Sequence, residues 1–204
     1  MISPISRSRA SSGGVGFVSP VALIPHCNRH QTIVTPKLIA DSRGAFCEAY
    51  NQERFAARGI TANFVQDNQS VSAAIGTIRG LHFQSHPAAQ AKLDRVLKGR
   101  IFDVAVDLRR SSPTYGKWVA EEVSAENRKQ VFIPIGFAHG FCTLEIDTHV
   151  FYKASAFYSP LNDFGIAWDD PDLAIDWPVA SSKATLSDKD RRMPAFRSLP
   201  GYFE

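Results

Sequence analysis

The chain has 204 residues, enough for one domain with a sizeable core, and its 44% apolar and 21% charged content is that of an ordinary soluble globular protein. The formal charge of +3 is uneven: Met1–Ala40 carries Arg7, Arg9, Arg29 and Lys37 and no acid, which leaves 19 basic against 20 acidic residues elsewhere. A body this near neutral excludes a phosphate-tracking nucleic-acid surface, and no apolar run is long enough to cross a bilayer.

Residues 1–30, with His26, His30 and Cys27, are rich in Ser, Gly and Arg and show no period. They read as a flexible extension. The composition also suits a transit peptide, though the amphipathic pattern is poor, and no secretory signal stands out. Residues 31–204 form one mainly β domain. Thr32–Ile39 is a strand, Asp41-Ser42-Arg43-Gly44 a turn and Ala45–Tyr50 a second strand. Asn51–Arg58 is a short helix with Asn51 as cap and Gly59 as its end. Phe64–Ala73, Thr77–Phe83 and Ala91–Leu97 follow as strands. Lys98-Gly99 turns into Ile101–Leu108, where Phe102, Val104, Val106 and Leu108 share one face and Asp103, Ala105 and Asp107 the other. Trp118–Val123, Gln130–Ile133, Gly140–Ile146 and His149–Phe157 continue the series. After Pro160 the chain is irregular, with a short helix around Ser187–Arg192 capped by Ser187. Many short strands and few helices predict a β-sandwich or barrel.

The three cysteines make neither a disulfide framework nor a zinc cluster. They point to a reducing, cytoplasmic compartment, with Cys47 and Cys142 as small core residues. The densest chemistry lies in Gly76–Gln84, which holds Arg79, His82 and Gln84 between glycines. A second glycine-broken apolar run, Pro134–Phe141, carries His139. Either histidine alone reads as a satisfied core residue; together they point to a shared pocket. His86, four after His82, precedes Pro87, and no Glu follows at a ligand spacing, so no metal site is expected. Taken alone, Lys92 reads as a solvated strand lysine, Tyr152 and Tyr158 as core aromatics sharing one face, and Asp190 as a surface helix carboxylate.

Taken in order, these segments resemble the dTDP-4-dehydrorhamnose 3,5-epimerase family. The residues that carry the likeness include Asp41–Glu48, Phe64–Asn68, Arg79–Gln84, Gln90–Leu93, Asp103–Arg109, Ser112–Gly116, Pro134–Phe141, Tyr152-Lys153, Trp168–Pro171, Trp177-Pro178 and Leu186–Asp190. The resemblance covers about Thr32 to Asp190 and implies a cupin-like jelly-roll β-sandwich or barrel with a few short helices. It implies a dTDP-4-keto-6-deoxyhexose substrate, inverted at C3 and C5 through an enolate to dTDP-4-dehydro-L-rhamnose, with no cofactor. It assigns His82 as base, Asp190 as its orienting partner, Lys92 as stabiliser of the C4 oxygen and Tyr152 as proton donor. Arg43, Arg79 and Lys189 match diphosphate contacts, and Tyr158 matches the ring stacked on thymine. Glu48, Gln66, Asp67, Asn68 and His139 match other substrate contacts. Arg43 and Glu48 lie in the part that crosses to a neighbouring subunit in the family, which implies a homodimer.

Two positions depart from the pattern. Asp163 replaces a Glu contact and is a methylene shorter. Asp94 stands where an apolar residue is usual, and on the Lys92 face it would offset the stabilising charge. Arg79 and His82 are three apart, on opposite faces of an ideal strand, so the strand must bulge or end near Gly80 if both enter one pocket. A single-carbon epimerase, a metal-dependent cupin oxygenase and a sugar-nucleotide sensor are the competing readings.

Overall fold

Short runs of alternating side chains build two antiparallel five-stranded sheets in a computed structural model that describes residues 32–204. The extension expected over residues 1–30 lies outside the described residues. In chain order the strands are β1 (Thr32–Val34), β2 (Ile39–Asp41), β3 (Gly44–Phe46), β4 (Gln66–Ser72), β5 (Ile78–Gln84), β6 (Lys92–Lys98) and β7 (Arg100–Asp107). They continue as β8 (Trp118–Ser124), β9 (Gln130–Ile133), β10 (Phe137–Thr143), β11 (Thr148–Ala154) and β12 (Asp163–Gly165). One sheet has the order β1-β9-β6-β11-β4 and the other β12-β5-β10-β7-β8; β2 and β3 form a separate hairpin. This is the expected jelly-roll arrangement of short antiparallel strands.

Three apolar clusters hold the layers together. Between the sheets lie Ile33, Val96, Val131, Ile133 and Val150 from the first and Ile101, Ala105, Val123, Phe137 and Phe141 from the second. Behind the second sheet, Ile78, Leu81, Phe83, Val104 and Val106 pack on Trp168, Leu173, Trp177 and Phe203 of the irregular C-terminal segment. Behind the first, Val34 and Leu93 pack on Phe55 and Ile60 at helix α1 (Gln52–Ala56). Each fully buried large side chain contributes about 1.5–3 kcal/mol. Strand β7 serves two clusters, because Val104 and Val106 face the C-terminal segment while Ile101 and Ala105 face the first sheet. Its polar face is therefore interior as well, and Asp103 and Asp107 are both fully buried.

Some boundaries differ from expectation. The first strand stops at Val34 because Pro36 lacks the N–H a ladder needs. The second pairs only through Phe46, so Cys47 lies off the strand and is half-buried, whereas Cys142 is a core residue as expected. The last long strand ends at Ala154, which leaves Tyr158 in the following loop rather than on the Tyr152 face. Asn51 caps α1 by accepting from the Arg54 N–H at 3.1 Å. Ser187 caps a turn, its Oγ accepting from the Asp190 N–H at 3.1 Å, and Asp190–Arg192 follow as a 3-10 turn.

Candidate active site

The two sheets part at one end around a cavity of about 420 Å³. Its walls have different origins. From the first sheet, Lys92 and Asp94 come from β6, Tyr152 from β11 and Ser70 from β4. Lys92 and Asp94 share the inner face because they are two apart, and Asp94, Tyr152 and Asn68 lie in one cross-strand row. From the second sheet come Arg79 and His82 on β5 and His139 and Phe141 on β10.

Arg79 and His82 both enter the cavity because β5 bulges. On β10 the partner register advances two residues, His139 to Phe141, while β5 covers three, His82 to Arg79. The odd residue restores alternation, so Ile78, Leu81 and Phe83 stay in the outer cluster. Gly80 is required there. Its φ is +130°, and a Cβ would meet the Gly140 Cα at 2.5 Å and the His139 carbonyl at 2.8 Å.

The C-terminal segment closes the site. Thr185 exchanges backbone hydrogen bonds with the start of β5, from the Ile78 N–H to its carbonyl and from its own N–H to the Gly76 carbonyl, each at 2.9 Å. This docking carries Ser187, Lys189 and Asp190 to the cavity. Asp190 Oδ1 lies 2.5 Å from His82 Nε2. Burial would raise the Asp190 pKa, but the hydrogen bond and charge of His82 outweigh it and hold the carboxyl below its usual value. The ionised carboxylate accepts from Nε2–H and leaves Nδ1 with the lone pair.

The opposite wall is tuned differently. Burial lowers the Lys92 pKa, with Asp94, Asp163 and Asp103 opposing. Burial, then the charge of Asp94, raises that of Tyr152, so the phenol stays protonated at neutral pH. His139 is buried and bonds Asp103 through Nε2 at 2.8 Å. Desolvation would lower its pKa, yet Asp103 and Asp94 raise it overall. Asp94, Asp103 and His139 offer ligand atoms within 4.8 Å of one another. The carboxylates flank different ring nitrogens, however, and the Lys92 ammonium already supplies a positive charge, so the set reads as a proton-sharing cluster. His86 is exposed and packs on Phe203, away from this group.

The remaining candidates divide. Lys189 reaches the cavity but also pairs with Asp163 Oδ2 at 2.5 Å, and that oxygen accepts from the Tyr158 hydroxyl at 2.9 Å. Asp163 thus braces two rim residues. Gln66 accepts from the Tyr158 N–H at 3.0 Å and donates to Asn68 at 2.9 Å. Asp67 is not brought to the cavity: strand alternation points it outward, where it pairs with Lys153 at 2.9 Å. Arg43 pairs with Asp41, and Glu48 pairs with Arg54 beside an apolar groove that includes Val34, Ile39, Phe46 and Phe55. Neither joins His82 within one chain. Asp103 escaped the sequence reading because the polar half of an alternating strand looks solvated. Its one signal was that β10 beside it, Phe137–Thr143, carries no acid or permanent charge and is largely apolar.

Comparison with known proteins places this geometry. Residues 29–198 match a family model described as dTDP-4-dehydrorhamnose 3,5-epimerase. A dTDP-4-dehydrorhamnose 3,5-epimerase of Sinorhizobium fredii is 48% identical over 172 residues, 84% of this chain and 88% of that protein. The crystal structure of a Bacillus anthracis dTDP-4-dehydrorhamnose 3,5-epimerase with TDP and PPi bound superposes with a TM-score of 0.82 at 49% identity, over 85% of this chain and 98% of that one. A Legionella pneumophila dTDP-6-deoxy-D-glucose-3,5-epimerase in complex with dTDP-4-keto-L-rhamnose gives a TM-score of 0.83 at 43% identity, covering 88% and 94%.

Proposed function

The chain belongs to the dTDP-4-dehydrorhamnose 3,5-epimerase family, and from that membership we propose how its own residues epimerise a dTDP-4-keto-6-deoxyhexose. The activity is that of an isomerase, in which protons move and nothing is oxidised. The C4 ketone acidifies the C–H bonds at C3 and C5. His82 takes the proton from one face, and the bond's electrons pass into the ketone to give an enolate. Lys92 stabilises the charge on the C4 oxygen, a role that burial strengthens. Tyr152 gives a proton to the carbon from the other side; solvent then takes the proton from His82 and returns one to Tyr152, which resets both for the second carbon. The observation that carries this assignment is that His82 and Tyr152 line one cavity from opposite sheets. A base and a donor on opposite walls are what inversion needs. Asp190 keeps His82 in the tautomer that can accept.

Arg79 takes the diphosphate. Its guanidinium is held by Ser72 Oγ at 3.1 Å and the Val71 carbonyl at 3.0 Å, so no carboxylate among its hydrogen-bond partners competes for a phosphate. Lys189 joins it by exchanging Asp163. The Tyr158 ring, 58% exposed at the mouth, stacks on the base. Arg43 and Glu48 serve a neighbouring subunit's cavity in a homodimer. The support is that the β2–β3 hairpin is exposed along its whole length, with Phe46 66% exposed beside an apolar groove. The reaction as proposed needs no metal or redox cofactor, so chelator should leave the rate unchanged. No helix among the described residues is long and apolar enough to cross a membrane.

The test is to incubate the protein with dTDP-4-keto-6-deoxyglucose in deuterated water and follow the sugar protons by NMR. Exchange at both C3 and C5 is expected. Exchange at one carbon would reassign it as a single-carbon epimerase, and none would overturn the reading.

A further inference from the structure

One acid in the cavity has no part in the chemistry above. Asp94 is 2% exposed and stands between Lys92, two residues before it, and Tyr152, directly opposite on β11. Its Oδ2 lies 3.7 Å from His139 Nδ1, beyond hydrogen-bond distance, and its Oδ1 has no partner among the described residues. Asp103 takes the His139 hydrogen bond, at 2.8 Å from Nε2, and leaves an oxygen unpartnered as well. A carboxylate removed from water persists as an anion only where donors replace the lost solvent. Asp94 has none, and it faces a second carboxylate across one imidazole. Their repulsion, only partly offset by His139 between them, favours a proton on Asp94, the one without a hydrogen bond.

Resting on the epimerase reading, we propose that Asp94 enters the reaction as a neutral carboxylic acid whose hydroxyl is a second hydrogen-bond donor to the enolate oxygen, beside Lys92. The site then has two electrophiles for one oxyanion, an ammonium and an acid, on the wall that also carries the phenol. The electrostatics agree. Burial, then the charge of Asp103, pushes Asp94 up to about 6, against the pull of His139 and Lys92. The charged and titratable groups facing it are Lys92 on β6, Tyr152 on β11, His139 on β10 and Asp103 on β7. As the enolate forms, its negative charge favours the protonated form further. The sign follows directly. Raising the pH past the Asp94 pKa creates an anion beside Lys92, cancels part of its charge and repels the enolate. Asp94 therefore contributes a falling limb to the kcat profile that begins above about pH 6.

Two substitutions separate the acid from mere packing. Asp94→Asn keeps a neutral donor and removes the titration, so its profile lacks the fall that begins above about pH 6 and keeps any later fall from Lys92. Asp94→Leu removes the donor and lowers kcat by roughly tenfold across the profile, with KM within about twofold. Thermal melts establish that both variants fold. A readout independent of turnover is the infrared C=O stretch of a protonated carboxylic acid, present at pH 5 in the wild type without substrate, fading as the pH rises through about 6, and lost in Asp94→Asn. The proposal falls if that band is absent, if Asp94→Leu matches the wild-type kcat, or if the wild-type and Asn profiles superimpose. Calorimetric zinc binding that Asp94→Asn abolishes would overturn it in favour of a metal ligand. Failure of the epimerase reading would show instead as no exchange at C3 or C5 in any of the proteins.

Discussion

The cavity and the N-terminal hairpin treat their charged residues in opposite ways. In the cavity, His82, Lys92, Tyr152 and Asp190 come from four separate elements and meet inside one chain. In the hairpin, Arg43 lies near its Asp41 partner on an exposed β-ribbon whose Arg43 side chain is 87% exposed. Proton chemistry needs fixed neighbours in a low-dielectric space, and one chain provides it. The nucleotide end needs reach, and a single chain leaves three expected substrate contacts, Arg43, Glu48 and Asp67, outside the cavity. On the proposed roles, one subunit is complete for the reaction and incomplete for its substrate.

The largest effect tests the self-contained half. His82→Ala should lower kcat by roughly 10³-fold or more, since it removes the base outright, and deuterium incorporation at C3 and C5 should cease. Retained exchange would move the base elsewhere. Asp190→Asn should cost on the order of 10²-fold in kcat with little change in KM, because the amide no longer selects the tautomer that accepts at Nδ1. Gly80→Ala tests the scaffold that joins Arg79 to His82. Steric conflict with Gly140 and the unfavourable φ should destabilise the fold by about 2–4 kcal/mol, read by denaturant unfolding. The smallest effect tests the incomplete half. Arg43→Ala should raise KM about tenfold and leave kcat within about twofold. Mixing it with His82→Ala protein under exchange conditions should restore low-KM turnover, because mixed dimers hold one intact site. No recovery would break the shared-site proposal.

The strand order was legible wherever period-two patterning met a glycine turn, as at Lys98-Gly99 before β7. It was less legible where a single residue overrules the pattern, as Pro36 does. The site was harder to read for a physical reason. Ser70, Lys92 and Asp94 alternate with other residues as a solvated strand face would, yet they line the cavity between two sheets. Sequence shows alternation and not which side is wet. Family resemblance supplied the roles of His82, Lys92 and Tyr152. The demand for a bulge at Gly80 came from strand geometry alone, and the register of β5 against β10 meets it. Asp94 was legible only as a conditional concern, because its lack of donors depends on the opposite sheet.

The bulge in β5 also has a bearing on how this protein can change. A strand is a parity device: each residue added or removed exchanges its two faces beyond that point. Gly80 is the single odd count that lets Arg79 before it and His82 after it, the proposed phosphate ligand and base, keep the same side. Deleting it would not shift one contact by a small amount. It would turn either Arg79 or His82 into the core behind the sheet and bring an apolar neighbour into the cavity. Substrate anchoring and proton abstraction are thus inherited as one unit along this strand, and neither can drift by insertion or deletion without the other.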